Sequence, residues 1–124
     1  MTSKRTFLTL SLGALAGACL PARAQGFPSR PITLVVPFAP GGATDATARR
    51  LADEMSKTLG ASVVIENKPG AGSFIAATHV TRAARDGHTL LFAGAATTSM
   101  NPHIFRSLPY KVSDLSPVST VSKQ

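Results

Sequence analysis

The residues best suited to chemistry in this sequence form a proline and glycine turn between an apolar run and a polar segment. The run Ile32 to Phe38 is apolar and rich in β-branched residues, and it leads through Pro40 to Gly41 and Gly42. A helix is predicted to begin immediately afterwards. Amide groups in the first turn of a helix lack partners within the helix, and the aligned peptide dipoles place partial positive charge there. The pattern therefore predicts a binding place for an anion such as a carboxylate or a phosphate.

Two further loops of small residues follow predicted strands. The loop from Gly70 to Phe74 opens a second predicted helix, and Ser73 is placed to cap it. The loop from Gly94 to Ser99 precedes a short helical turn, through Phe105, that Asn101-Pro102 favours. The small residues of any one loop can be explained by the need for a tight turn. Three such loops at the same edge of a sheet instead favour a binding site for an anionic ligand.

Strand and helix signals alternate along the chain and must position those loops. Apolar residues at three- and four-residue spacing before Gly60 predict an amphipathic helix that ends there. The other predicted elements are strands at 62–66, 88–93 and 117–122, a helix at 74–84 whose Ile75, Ala76, Val80 and Ala83 face the sheet, and a turn at 114–116. This order is typical of a doubly wound α/β domain with a parallel sheet. Ligands bind such sheets beyond the carboxyl ends of the strands, where all three loops are expected.

The charged residues of the first predicted helix are interpreted as ordinary surface groups. Arg49 with Asp53, and Arg50 with Glu54, have the spacing of exposed ion pairs. Asp45 lies in the first helical turn, where a carboxylate more often serves as a cap or dipole partner than as a ligand contact.

Residues 1–24 are typical of an export signal. Lys4 and Arg5 provide a basic start, an apolar stretch follows, and Ala22-Arg23-Ala24 is a small-x-small cleavage site. The apolar stretch is short and rich in glycine and alanine, unlike a membrane span. Because the segment around Arg5 also resembles a twin-arginine signal, the route is either Sec or Tat-like. We expect cleavage after Ala24 and a periplasmic product.

Removal of this signal changes the chemistry of the mature chain. Cys19 is the only cysteine and leaves with the signal, so neither a disulfide nor a thiol-based metal site is expected. A lipoprotein site before Cys19 is a weaker alternative. Loss of Lys4, Arg5 and Arg23 lowers the formal net charge from +7 to +4. The remaining basic residues are scattered without aromatic neighbours, which argues against nucleic-acid binding. The mature chain suffices for one small domain and has no stable membrane span.

Other chemical constellations are incomplete. Gly70-Ala71-Gly72 has Ile75 where a dinucleotide fingerprint requires its third glycine, and no P-loop sequence occurs. The histidines His79, His88 and His103 lack metal-ligand spacing, and no serine lies in a nucleophile elbow. We therefore expect no catalytic residue, no metal and no cofactor.

Several motifs in order resemble one known family. They are Phe27 to Ile32, Val35 to Asp45, Val64 to Gly72, Asp86 to Leu91, Asn101-Pro102 and Leu108 to Tyr110. Together they closely resemble the Bug (TctC-like) family, the periplasmic receptors of tripartite tricarboxylate transporters. The resemblance implies a type II periplasmic-binding-protein fold that closes around small carboxylates, related amides or aromatic acids. It also implies delivery of the ligand to the permease subunits in the membrane.

The resemblance implies ligand contacts in the same three loops. By position they are Phe38, Pro40, Gly41, Gly42, Ala43, Thr44, Asp45, Gly72, Ser73, Phe74, Ala95, Ala96, Thr97 and Thr98. Two departures stand out: His88 replaces a usual aromatic residue, and Ser73-Phe74 replaces a commonly smaller pair. The bulky Phe74 would narrow the pocket or favour an acid with an apolar body.

Family members have a second lobe, whereas this sequence ends at Gln124. We therefore expect residues 25–124 to form a partial first lobe, with the second lobe absent and the ligand open to water. Three interpretations remain. The first is a receptor fragment, either part of a longer protein or a truncated product, with or without the ability to bind ligand. The others are a stand-alone signalling or interaction module and an exported hydrolase. A second lobe encoded nearby, binding to a protein partner, and turnover of an ester or amide would distinguish them.

Overall fold

Three parallel strands form the centre of the fold in this computed structural model, which describes residues 26–122. The strands are β1 (Ile32–Val36), β2 (Val63–Asn67) and β3 (Thr89–Leu91), in the order β2-β1-β3. In the middle of the sheet Leu34 pairs with Ile65 on one side and with Leu90 on the other. The predicted export signal and its cleavage site lie outside the described residues.

Helical segments connect and follow the strands. They are α1 (Ala43–Leu59), a 3-10 turn (Ala71–Ser73), α2 (Phe74–Arg82), a π-helical turn (Ala96–Met100), α3 (Asn101–Ile104) and a 3-10 turn (Val112–Asp114). Within residues 26–122, no helix has both the length and the apolar character needed to cross a bilayer.

The connections explain why β1 is covered on both faces. The chain leaves β1 through α1 towards β2 and then returns through α2 to β3 on the opposite side of β1. Right-handed crossovers in these opposite directions place α1 and α2 on opposite faces of the sheet. Ile32, Leu34, Val35 and Val36 are accordingly buried, as expected for the continuous apolar run.

The core lies between the sheet and α1. Leu34, Val36 and Ala48 form its buried centre, and Leu51, Val63, Ile65, Leu90 and Phe92 pack against them. The small side chains of Ala48 and Ala52 lie on the buried stripe of α1, which lets the helix approach the strands closely. Each buried Val or Leu contributes about 1.5–3 kcal/mol through loss of apolar surface to water.

Two predicted boundaries of α1 are confirmed. The helix begins directly after Gly42, whose φ of −83° and ψ of 172° are extended. It ends at Gly60, which has the left-handed φ of 63° typical of a helix C-cap.

The prediction for α2 is wrong in part. The helix ends at Arg82 rather than at 84, and Ile75 is 50% exposed instead of facing the sheet. The buried stripe consists of Ala76 and Ala77, because helical geometry turns Ile75 away once these two residues face inwards.

The last part of the chain also differs from the prediction. Residues 117–122 form no strand, and Val118 and Val121 are exposed. A strand needs a hydrogen-bonded neighbour, which this segment does not have among the described residues. The helical turn expected at 114–116 lies at Val112–Asp114, and the expected loop at 94–99 is largely the π-helical turn.

Candidate functional site

Three loops leave the carboxyl ends of the strands. We call residues 37–42 loop 1, residues 68–73 loop 2 and residues 92–98 loop 3. From β1 the chain moves to β2 on one side and then crosses to β3 on the other side. Loops 1 and 3 follow the neighbouring strands β1 and β3, between which the strand order changes direction. This is the usual ligand position in open α/β sheets.

Loop 1 presents the amino end of α1 at the surface. Gly41 has a φ of 88°, which favours glycine, and its amide donates to Asp45 Oδ2 at 2.9 Å. No side chain caps the helix at Gly42, and Gly42 and Ala43 are exposed. The helix therefore begins at two exposed residues and has no capping side chain, which is the arrangement that an anion site requires.

The Asp45 carboxylate is buried and bonded on both oxygens. Arg49 Nε donates to Oδ2 at 2.8 Å, and Asn67 Nδ2 donates to Oδ1 at 2.8 Å. Only 3% of Asp45 is exposed. The Arg49 side chain, the Gly41 amide and the Asn67 amide hold the pKa of Asp45 well below its usual range. Asp45 is thus ionised and neutralised by Arg49, which weakens its repulsion of a nearby anion.

The expected surface ion pairs of α1 are therefore wrong. Arg49 pairs with Asp45 rather than with Asp53, and Glu54 pairs with Lys57 at 2.7 Å rather than with Arg50. Arg49 lies four residues from Asp45 and four residues from Asp53, so helix geometry allows either pair. The carboxylate of Asp45 is the better partner because it is buried and shielded from water.

Asn67 ties loop 1 to the end of β2. Its side-chain amide donates to the Phe38 carbonyl at 3.0 Å as well as to Asp45, and its oxygen accepts from Arg49 Nη2 at 3.3 Å. Sequence reasoning missed this residue. The available signal was an asparagine at a strand end directly before Lys68-Pro69.

Loop 2 has an unusual backbone. Four consecutive residues have positive φ: Gly70 at 117°, Ala71 at 46°, Gly72 at 60° and Ser73 at 75°. Ser73 is the N-cap of α2, as predicted, but its side chain makes no capping hydrogen bond. An N-cap side chain reaches the helix amides from an extended backbone, whereas Ser73 is left-handed.

Loops 2 and 3 are joined by a buried polar network. Asn101 Nδ2 donates to the Gly72 carbonyl at 2.8 Å and to the Tyr110 hydroxyl at 3.3 Å. The Tyr110 hydroxyl in turn donates to the Thr97 carbonyl at 2.7 Å. Thr97 is fully buried, and its Oγ1 has no hydrogen-bond partner within residues 26–122.

The predicted site residues differ in accessibility. The exposed ones are Phe38, Pro40, Gly41, Gly42, Ala43, Gly72, Ala95 and Thr98; Thr44, Phe74 and Ala96 are half-buried; Asp45, Ser73 and Thr97 are buried. Loops 2 and 3 contact each other, and loop 1 is held at the end of β2. Among the described residues no hydrogen bond joins loop 1 directly to loop 3.

A groove of about 590 Å³ lies away from loop 1, along α2. Its lining consists of Lys68, Phe74, Ile75, Thr78, His79, Arg82, Ala83 and Pro109. Phe74 is the predicted site residue among them. The groove therefore lies beside the start of α2 and includes no residue of loop 1 or loop 3.

His88, at the start of β3, is held by structural contacts. Its Nε2 accepts from the Ser29 amide at 3.2 Å, and its ring stacks edge-on with Phe27 at 5.0 Å between centroids. Asp86 next to it pairs with Arg30 at 2.8 Å. Within residues 26–122, no group of three or more histidine, cysteine, aspartate or glutamate residues is placed to hold a metal ion.

Comparison with known proteins identifies the family. A sequence profile of the tripartite tricarboxylate transporter family receptor matches residues 47–124. The chain belongs to this receptor family. It is 44% identical over 110 residues to BugT of Bordetella pertussis, a match that spans 87% of this chain and 34% of BugT. The chain thus spans about a third of the length of the relatives that it matches.

Solved structures similar to this chain share its fold over the matched residues. One is Rpa4515 of R. palustris with adipate, 36% identical with a TM-score of 0.67 over 71% of this chain and 29% of that one. Another is MatC of Rhodopseudomonas palustris with bound malate, 58% identical with a TM-score of 0.50 over 52% of this chain and 22% of that one. The solved relatives include periplasmic binding proteins, so the expected partial periplasmic-binding-protein fold is confirmed.

Proposed function

We propose that this chain supplies one wall of a small-carboxylate site in a periplasmic receptor that delivers its ligand to a membrane permease. The observation that carries the proposal is the exposed amino end of α1, which has no side-chain cap at Gly42. Partial positive charge at this end stabilises a carboxylate. Membership of the receptor family supports the same ligand class, since two solved relatives hold adipate and malate.

The residues expected to meet the ligand divide into two groups. The exposed positions of loops 1 to 3 can approach it directly, mainly through backbone amides at Gly42 and Ala43. Asp45 has both oxygens occupied by protein donors, so we assign it to shaping loop 1. The half-buried Phe74 offers an apolar surface to the body of an organic acid.

Calorimetric titration of the chain with adipate and malate tests the proposal, with the neutral diamide of adipate as the comparison. We expect both acids to bind and the diamide not to bind. Rpa4515, titrated with adipate in parallel, should bind it more tightly, because the match to this chain covers only 29% of Rpa4515 and the longer protein can enclose a ligand more fully. Equal binding of the diamide, or no binding of any acid, would contradict the proposal.

Ala43→Pro sharpens this test. Proline at the first helical position removes one amide donor without breaking the helix, and the extended backbone of Gly42 is the conformation preferred before proline. Loss of one charge-assisted hydrogen bond should weaken carboxylate binding by about tenfold or more. Ala43→Ser keeps the amide and is the matched control, expected to retain the affinity.

A further inference from the structure

Two buried side chains outside the loops connect loop 2 to loop 3. Asn101, at the start of α3, reaches back to the Gly72 carbonyl at 2.8 Å, and Tyr110 reaches the Thr97 carbonyl at 2.7 Å. The 3.3 Å hydrogen bond between Asn101 and Tyr110 closes the chain of contacts. Both side chains are buried, so the two bonds of the Tyr110 hydroxyl are shielded from water, and the bond to the exposed Gly72 is partly shielded.

Loop 2 needs such a restraint because of its backbone. Ala71 and Ser73 are not glycines, yet both have positive φ, a conformation that side chains disfavour. Strained backbone persists only where the surrounding structure enforces it. Asn101 bonds to Gly72, which lies between these two residues, and is therefore placed to hold the strained turn.

Aromatic packing supports the same connection from the other side. The Phe74 ring lies edge-on to the Tyr110 ring at 6.1 Å and to the Phe105 ring at 4.9 Å. These contacts fix the Tyr110 ring at the start of α2. The Tyr110 ring thus packs against Phe74, directly after loop 2, while its hydroxyl bonds to loop 3.

We propose that Asn101 and Tyr110 are positioning residues, which fix loops 2 and 3 in one relative arrangement for ligand binding. The part that concerns ligand rests on the proposed carboxylate function. Neither residue needs to touch the ligand. Their role is to present the exposed positions Gly72 and Thr98 at constant separation.

Tyr110→Phe tests this role with little disturbance, because it removes the hydroxyl and leaves the ring in place. Asn101→Ala is the second variant. Ser56→Ala is the matched control, since Ser56 Oγ also accepts a hydrogen bond, from the Val63 amide at 3.0 Å, at the amino end of the strands. Hydrogen exchange of the full chain, resolved by residue, is measured with adipate titration of the same samples.

We expect Tyr110→Phe to accelerate amide exchange in loops 2 and 3 by about tenfold, as for loss of one buried hydrogen bond, with the middle of α1 unchanged. Adipate affinity should fall by a similar factor in this variant and remain unchanged in Ser56→Ala. Unchanged exchange in both loops, or equal acceleration in Ser56→Ala, would overturn the positioning role. If the unmodified chain binds no carboxylate, the proposed function fails, and the exchange comparison still decides whether these residues position the loops.

Discussion

The side-chain amide of Asn67 donates a 2.8 Å hydrogen bond to the Asp45 carboxylate, which joins the last residue of β2 to the first turn of α1. The same amide holds the Phe38 carbonyl of loop 1 at 3.0 Å. One side chain thus sets the distance between a strand end, a loop and a helix start. The amino end of α1 keeps its place at the sheet edge as a result.

Asn67→Ala should destabilise the fold. The change removes two donated hydrogen bonds and leaves the buried Asp45 with fewer partners, so we expect a loss of about 1–3 kcal/mol in the free energy of unfolding. Urea titration followed by circular dichroism measures it. Arg50→Ala on the exposed side of α1 is the control and should change stability by less than about 0.5 kcal/mol. Equal effects of the two variants would show that Asn67 is not a restraint.

Stability should decrease at acidic pH through three carboxylates, Asp45, Glu66 and Asp86, whose pKa values are lowered in the folded state. The Arg30 side chain and the His88 amide lower the pKa of Asp86 from 3.8 to about 2, and the pKa of Asp45 is also lowered. The folded state therefore binds fewer protons than the unfolded chain between about pH 4 and pH 2. The contribution of Asp86 is complete above this window and is lost as the pH falls through it, whereas that of Asp45 persists to lower pH.

Denaturant unfolding between pH 2 and pH 7, in unmodified chain and in Asp86→Asn, measures this dependence. We expect a shallower decrease of the free energy of unfolding in the variant, because one of the three carboxylates with a lowered pKa is gone. Asp53→Asn is the control on an exposed carboxylate and should retain the full slope. If the free energy of unfolding of Asp86→Asn depended on pH as in the unmodified chain, the ion pair between Asp86 and Arg30 would not contribute to the pH dependence.

Gly70→Ala should disturb loop 2. Gly70 has a φ of 117°, and a Cβ placed there would lie 3.0 Å from Cδ1 of Ile75. Backbone strain and this close approach should cost about 1–3 kcal/mol. In the control variant Gly94→Ala, the added Cβ would meet no atom within 4 Å. Its midpoint of thermal unfolding should therefore be close to that of the unmodified chain. Equal midpoints for both variants would contradict the strain.

The sheet centre should be far more sensitive to truncation than its edge. Val36 is fully buried, whereas Val64 on β2 is 50% exposed. We expect Val36→Ala to cost about 2–3 kcal/mol through lost burial and a residual cavity. Val64→Ala should cost less than half of that in the same urea titration. A larger loss of stability in Val64→Ala than in Val36→Ala would contradict a core centred on β1.

The export signal that we predict from the sequence would yield a defined mature protein. In a Gram-negative host, we expect a periplasmic product whose first residue is Gln25, measured by mass spectrometry. Ala24→Leu should block cleavage, since the site requires a small residue. Arg5→Lys should abolish export only if the route is Tat-like. A cytoplasmic product that retains residues 1–24 would contradict the prediction.

Local patterns explain which parts of the fold could be predicted from the sequence. The continuous apolar run of β1 and the glycine at each end of α1 act through adjacent residues, and all three features are found in the structure. The placement of three loops at one edge follows from the alternation of strands and helices. The same alternation predicts that the candidate site lies on these three loops.

Contacts between distant residues explain what could not be predicted. Asp45 and Asn67 are 22 residues apart, and Gly72 and Asn101 are 29 apart, so no local pattern reveals either bond. Ser73 was expected to cap α2 as serines commonly do, but its left-handed backbone is imposed by the loop. The segment at 117–122 has residues suited to a strand, but no neighbour for it lies among residues 26–122.

Tyr110 has a practical consequence for spectroscopy. It is the single tyrosine of a chain without tryptophan, and its hydroxyl is bonded to the Thr97 carbonyl. Fluorescence excited in the tyrosine absorption band therefore originates from one ring, which lies between loops 2 and 3. The chain contains its own optical reporter of the candidate site, and a fluorescence change that precedes the loss of helical circular dichroism would signal local opening before global unfolding.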